Sequence, residues 1–315
     1  MLSDVQKSAI LEIARDQVRF DEPMTVHSTM HVGGPAEAFI VPRDTLMLKA
    51  VMGWASENEV PYTFMGGGSD TLVRDSGIKG IAIHLREGFN KLDISHESGD
   101  EIFVTADGGV HTGVLVRFAK EKGLAGVEGL AGIPGTVGGN VLTNAGTSLG
   151  WISDVVEEIT VVERQLRELT IKRKALEFSY RCLKLPRSAA VIRALLKLKR
   201  DDPVAIEKRT AELLEKRKTT QPQGYPTLGC IFKNPQKDGK QKLSAGSLID
   251  EAGLKGVRVG KARVSEIHGN FIVNEGGALA KDVEILIGLV REHIKEKFGI
   301  ILETEIHIIG EKYEG

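Results

Sequence analysis

Cysteine is nearly absent from this chain: Cys182 and Cys230 are the two in 315 residues. That excludes a disulfide framework and a cysteine-rich zinc site, and it suits a reducing compartment. Net charge is also small, −1. Lys and Arg number 42 against 43 Asp and Glu, which argues against the broad basic surface of a general nucleic-acid binder. No run approaches the ~18 apolar residues of a membrane-spanning helix. The opening stretch MLSDVQKSAILEIARDQ places charges among its apolar positions, so no signal peptide and a cytoplasmic location are expected. There is no internal repeat, no low-complexity segment and no acidic cluster suited to magnesium or another metal.

Glycine, by contrast, is abundant: 36 of 315 residues, about 11%, against a typical ~7%. The glycines cluster, as they do where a backbone must approach a ligand closely. The length predicts two or three domains. Residues 5–18 predict a short amphipathic helix, 31–42 a turn entering a strand, 43–58 a helix, and 61–65 and 80–85 strands. Strand 102–108 and helix 111–122 follow, and then residues 123–146, too glycine-rich for a plain helix or strand. Strands are expected at 155–163, 166–171 and 189–199. Asp202-Pro203 opens a helix to about Lys218, with Asp as N-cap and Pro at the first helical position. Beyond SAGSLIDEAG come strand 270–274 and a helix at 281–298 with an apolar stripe of Val283, Leu286, Ile287, Val290 and Ile294. A final strand is expected at 301–310.

Two glycine segments carry chemistry. Gly66, Gly67, Gly68, Ser69 and Asp70 follow a strand, and their successive N–H groups with the Ser69 hydroxyl suit a phosphate or pyrophosphate. No Lys-Ser/Thr follows, so this is not a P-loop, and it is not the GxGxxG of a Rossmann site. The second segment is GIPGTVGGN, from Gly132 to Asn140. Two such loops in adjacent α/β units imply one extended ligand, of dinucleotide size. The alternative for the first is a plain glycine-rich turn between strand and loop, and for the second backbone packed on backbone.

The segments VGGPA (32–36), GGGSDTLVRDSG (66–77), VEGLAGIPGTVGGNVLTNAG (127–146), FSYR (178–181), GCIFKNP (229–235), AGSLIDEAGLKG (245–256), RVSEIHGNFIVN (263–274) and LETEI (302–306) stand in one order. In that order they resemble the enolpyruvoylglucosamine reductases, from about residue 25 to 310. The resemblance implies an α+β protein: a two-subdomain FAD-binding unit of the vanillyl-alcohol oxidase (PCMH) type, over 1–85 and 86–202, and a C-terminal α+β substrate domain over 203–315. It implies non-covalent FAD, NADPH as reductant, and UDP-N-acetylglucosamine enolpyruvate as substrate in peptidoglycan precursor synthesis. The FAD is expected against Gly66 to Asp70 and against Gly132, Ile133, Pro134, Gly135, Thr136, Gly138, Gly139, Asn144, Ala145 and Gly146. Asp70 stands where the family has Asn, and a carboxylate suits a pyrophosphate poorly unless it caps a turn.

For catalysis the resemblance points to Arg181, Cys230 and Glu305. A guanidinium is always cationic and pairs with a carboxylate in two-pronged fashion, so Arg181 is the expected charge stabiliser. Cys230 replaces the family's proton-donating Ser, and Glu305 is the second acid. Glu303 shares its strand face by period two, so only the motif separates them. Tyr180, Tyr225, Lys233, Asn234 and His268 are expected at the substrate, and Gln221-Pro222 at the entry to the same loop. Ile267 replaces the family's Lys before His268, and Cys182 and the residues after it depart from the pattern. The short interval between Arg181 and Gln221 matches the family's shorter branch. Two alternatives stand beside this reading. One is another FAD-dependent oxidoreductase of the same fold acting on an alcohol or sugar, with His111 the candidate flavin attachment. The other is a non-catalytic flavin-binding relative.

Overall fold

Helix α1 (Asp4–Ala14) begins at Ser3, whose hydroxyl accepts from the Gln6 N–H while the Gln6 side chain accepts from the Ser3 N–H at 2.9 Å. This reciprocal cap satisfies two of the helix's orphan donors. The computed structural model describes residues 1–186, 188–237 and 241–312. The chain divides into two units. The first comprises Met1–Phe20, Glu37–Gly67 and Gly80–Lys216, and the second Asp21–Ala36, Gly68–Lys79 and the chain from Arg217 onward.

In the first unit, α2 (Thr45–Glu57) starts at Asp44, which accepts from the Met47 N–H at 2.8 Å. Its apolar face, Leu48, Val51, Met52 and Ala55, joins Ile10, Ile40, Ile81 and Ile83 in one core. The associated sheet has the order Val18–Pro23, Pro35–Ile40, Ile78–His84, Tyr62–Met65, the last two parallel. A second, antiparallel sheet runs in the order Glu168–Lys172, Val156–Val162, Ala190–Arg200, Glu101–Asp107, Leu92–Ser98. Against it pack α3 (Thr112–Glu121) and α4 (Val137–Leu142), forming a separate core.

The sequence predicts neither helix nor strand for the glycine segment that contains α4. Two glycines inside a helix cost about 1 kcal/mol each, and the helix forms because tertiary contacts offset that cost. The Thr136 hydroxyl caps the Gly139 N–H, and the Gly138 N–H donates to Gly108 O at 2.8 Å. A Cβ on Gly138 would stand 3.0 Å from the carbonyl oxygens of both Gly108 and Val191. Glycine is thus what lets the helix press against the sheet backbone.

Helix α5 (Pro203–Thr220) opens as expected, with the Asp202 carboxylate accepting from the Val204 N–H at 3.1 Å. Arg209 ties it to Glu128 and Asp201, at 2.6 Å to each. Thr210 is 7% exposed, and its hydroxyl is buried with no hydrogen-bond partner among the described residues. Thr210→Val is therefore expected to be neutral or stabilising by up to about 1 kcal/mol. Urea unfolding measures this, and a clear loss of stability would refute it.

In the second unit, strands Thr227–Cys230, Phe271–Asn274, Ala262–Val264 and Arg258–Val259 form an antiparallel sheet in that order. Helices α6 (Ala245–Glu251) and α7 (Ala280–Phe298) contribute to its core. The expected stripe of α7 is buried at all five positions, each side chain contributing about 1.5–3 kcal/mol. The Asp75 carboxylate accepts from the Ala280 and Lys281 N–H groups, and Gly299 at φ +68° ends the helix. The expected strand 301–310 is shorter than its alternation suggests. Thr304 makes an isolated bridge to Phe232, and His307–Ile309 pairs in parallel with Thr71–Val73. The segment divides between two partners, so no continuous ladder forms.

Candidate functional site

The two glycine segments meet within the first unit. A Cβ on Gly67 would lie 2.7 Å from Gly135 Cα, and one on Gly66 would lie 3.0 Å from the Thr136 hydroxyl. Gly135 is held by its carbonyl, which accepts from both the N–H and the hydroxyl of Thr112 at 3.0 Å, and Gly135 itself has φ +108°. Beside this junction is a small cleft lined by Gly66, Gly108, Gly109, Thr136, Gly138 and Gly139, with Phe64, Leu142 and Ala190 on its apolar sides. Arg86 is the one charged residue among the described lining residues. The sequence reading did not single it out. Its backbone is drawn in by Gly109, where a Cβ would stand 2.4 Å from Leu85 O and 2.8 Å from Arg86 Cα. A narrow, glycine-walled cleft with apolar sides and one cation has the chemistry of a nucleotide site.

The remaining expected cofactor residues are distributed. Ala145 is buried, and its carbonyl accepts from the Ile152 N–H at 2.8 Å. Asn144, at φ +44°, donates from its amide to Ser179 O at 3.0 Å and accepts from the Ser153 N–H. Its side chain therefore positions the FSYR hairpin. Gly68, Ser69 and Asp70 belong to the second unit. There Gly68 has φ +62°, and its carbonyl accepts from the Thr29 N–H at 3.0 Å. The Asp70 carboxylate accepts from the Thr71 hydroxyl at 3.2 Å, and its carbonyl accepts from the His307 N–H at 2.8 Å.

Arg181 sits in the first unit on a two-residue turn closed by the Ser179–Cys182 pair, at φ +58°. Its guanidinium lies over Trp151 at 5.3 Å and Tyr180 at 5.9 Å from the ring centres.

Cys230 and Glu305 lie in the second unit, on segments that run antiparallel to each other. The Glu305 N–H donates to Ile231 O at 2.8 Å and the Lys233 N–H to Glu303 O at 2.9 Å, flanking the Phe232–Thr304 bridge. Gly229, at φ +74°, turns the strand just before Cys230. Asn270, 3% exposed, locks the segment. Its side chain accepts from the Phe232 N–H at 2.9 Å and donates to Phe232 O at 2.8 Å, and its carbonyl takes the Ile231 N–H. The HGNF motif holds this residue, but nothing local marks it as the fastener of the cysteine loop. Asn234 accepts from the Ala245 N–H at 3.0 Å, tying the loop to α6. Lys233 lies 3.5 Å from Glu303. Tyr225 is 46% exposed, with its ring over the Arg263 guanidinium at 5.8 Å. His268 packs edge-on to Phe271 at 4.9 Å and accepts from the Asn270 N–H at 3.2 Å.

Burial and the Lys255 charge hold His268 below the ordinary histidine value of 6.5. Burial and then Arg86 do the same to His111, whose Nδ1 caps α3 by accepting from the Gly113 N–H at 3.2 Å. On acidification the unfolded chain therefore takes up these protons before the fold does. Stability therefore rises with pH between the lowered folded values and 6.5, and acidification through that window removes it. The urea midpoint should fall between neutral and mildly acidic pH, and His111→Asn, which keeps an N-cap acceptor, should flatten the dependence. An unchanged slope would refute the assignment.

Among the described residues no cluster of His, Cys, Asp or Glu suits a metal ion, and no helix is long and apolar enough to cross a membrane. The family model for an FAD binding domain matches residues 36–165, and the model for the UDP-N-acetylenolpyruvoylglucosamine reductase C-terminal domain matches 221–309. The UDP-N-acetylenolpyruvoylglucosamine reductase of Desulfosudis oleivorans is 39% identical over 306 residues, covering 95% of this chain and 96% of that protein. The protein of the same name from Geotalea uraniireducens is 39% identical, covering 98% and 99%. The crystal structure of the reductase from Thermus caldophilus superposes with a TM-score of 0.78 at 37% identity, covering 92% of this chain and 97% of that one.

Proposed function

The chain belongs to the UDP-N-acetylenolpyruvoylglucosamine reductases, and from that premise we propose how its residues divide the work. It is an FAD-dependent oxidoreductase that reduces the enolpyruvyl ether of UDP-N-acetylglucosamine enolpyruvate in peptidoglycan precursor synthesis. NADPH is the reductant and the cytoplasm the location. The observation that carries the cofactor reading is the close approach of Gly67 to the Gly135 backbone and of Gly66 to the Thr136 hydroxyl, beside the glycine-walled cleft. The donors fit a dinucleotide: backbone N–H groups and the Thr136 hydroxyl for the pyrophosphate, and Arg86 for its charge.

When bound, FAD carries the hydride from NADPH to the sugar nucleotide. The protein's own tasks are to bind, to stabilise charge and to move a proton. Arg181 pairs with the substrate carboxylate and opposes the negative charge that spreads onto it as the α carbon becomes nucleophilic. Cys230 gives that carbon its proton from Sγ, and Glu305 holds the developing enol by hydrogen bonding. Lys233 and Asn234 offer donors to the diphosphate or carboxylate, and Tyr180, Tyr225 and His268 border the sugar nucleotide.

Anaerobic stopped-flow absorbance of the flavin tests this reading. NADPH should bleach it, and UDP-N-acetylglucosamine enolpyruvate should then restore it. Recovery with oxygen alone would move the chain to the oxidases of alcohols or sugars. A protein that takes up no FAD would sink the reading at its root.

A further inference from the structure

We propose that Trp151 is a positioning residue for Arg181, forming with Tyr180 an aromatic cradle that aims the guanidinium. The inference rests on the role given to Arg181 above.

Three observations converge on the ring. The guanidinium carbon lies 5.3 Å from the centre of the Trp151 ring and 5.9 Å from that of Tyr180, while the two rings meet edge to face at 6.0 Å. Arg181 stands at the second corner of a two-residue turn with φ +58°, a backbone state uncommon for a residue with a Cβ. Its side-chain direction therefore depends on the surroundings that keep it there. Finally, the ring is held by a dedicated small hairpin. Gly146–Thr147 pairs with Gly150–Trp151, and the Trp151 N–H donates to Asp154 at 2.8 Å. A Cβ on Gly146 would lie 2.6 Å from Trp151 Cα and 2.9 Å from its Cδ2. Asn144 joins the two hairpins, donating to Ser179 O and accepting from the Ser153 N–H.

The chemistry explains why an aromatic ring serves here. A carboxylate neighbour would fix the guanidinium by occupying its N–H fork and cancelling its charge. A ring face attracts the cation through its quadrupole and takes up none of those donors.

The test compares Trp151→Leu with Trp151→Phe in the full-length FAD enzyme, following the two half-reactions separately. The cradle requires Trp151→Leu to slow reoxidation by the sugar nucleotide about tenfold, leaving reduction by NADPH unchanged, and Trp151→Phe to restore most of that rate. Equal losses in both variants, or no loss in the leucine variant, would overturn it. A second readout separates this failure from failure of the functional reading. The chain has two tryptophans, Trp54 and Trp151, so Trp54→Phe leaves Trp151 as the single emitter. Removing the guanidinium by Arg181→Leu in that background must shift or brighten the emission whatever the substrate proves to be, and unchanged emission refutes the cradle.

Discussion

Replacing Cys230 by alanine is expected to slow the return of the oxidised flavin on adding the sugar nucleotide by about 10²–10⁴-fold, the usual contribution of a positioned proton donor. Reduction by NADPH should keep its rate. The selectivity follows from the structure. The backbone at Ile231 and Phe232 is held by Asn270 from three directions and by the Glu305 N–H, and none of these bonds involves the Cys230 side chain. Alanine removes the thiol and keeps all of these bonds. Cys230→Ser should remain active, because a hydroxyl supplies a proton from nearly the same point. Thiols are intrinsically stronger acids than alcohols, so the serine variant should be slower than the parent enzyme. Equal damage to both half-reactions in the alanine variant would show that Cys230 supports the fold and not the proton transfer.

Gly67→Val should yield a protein that no longer retains FAD. The first added carbon alone would stand 2.7 Å from Gly135 Cα, closer than real Cβ contacts come, and a tight 3.3 Å from Gly135 N. Gly135 has little freedom to retreat, because Thr112 holds its carbonyl twice. The loops must part, at an overpacking cost of about 1–3 kcal/mol, which converts to as much as about a hundredfold in affinity. Valine's two methyl groups add to that. Quenching of flavin fluorescence on titration with FAD measures the affinity. Gly288→Ala is the control: its Cβ meets nothing within 4 Å, so it should bind FAD normally and gain stability from helix propensity. If Gly67→Val bound FAD as tightly as the parent, the junction of the two loops would not be the cofactor's seat.

The legible part of the molecule was local. The stripe on α7, the Asp202-Pro203 start of α5 and the strand leading into GGGSD depend on residues a few positions apart, where periodicity and capping act. Helix α4 escaped this kind of reading because Gly138 and Gly139 oppose helix formation locally. It is held by the Gly138 N–H bond to Gly108 O and lies close against Val191 O, both far away in sequence. The strand expected over 301–310 failed in the same way. Its alternation is real, but Thr304 and His307–Ile309 find different partners.

The sequence by itself determined the chemical inventory: two glycine loops, one arginine in SYR, one thiol in GCIF, a carboxylate in LETEI, and the family order that names their tasks. The tertiary structure alone decided which groups touch. It set Gly67 against Gly135, ran Glu305 alongside Ile231, fastened the cysteine loop with Asn270, brought Arg86 to the cleft and laid Arg181 over Trp151. The physical reason is range. Propensity, caps and periodicity act over a turn or two of chain, whereas these contacts join residues 30 or more positions apart, selected by packing that exists only once the cores have formed.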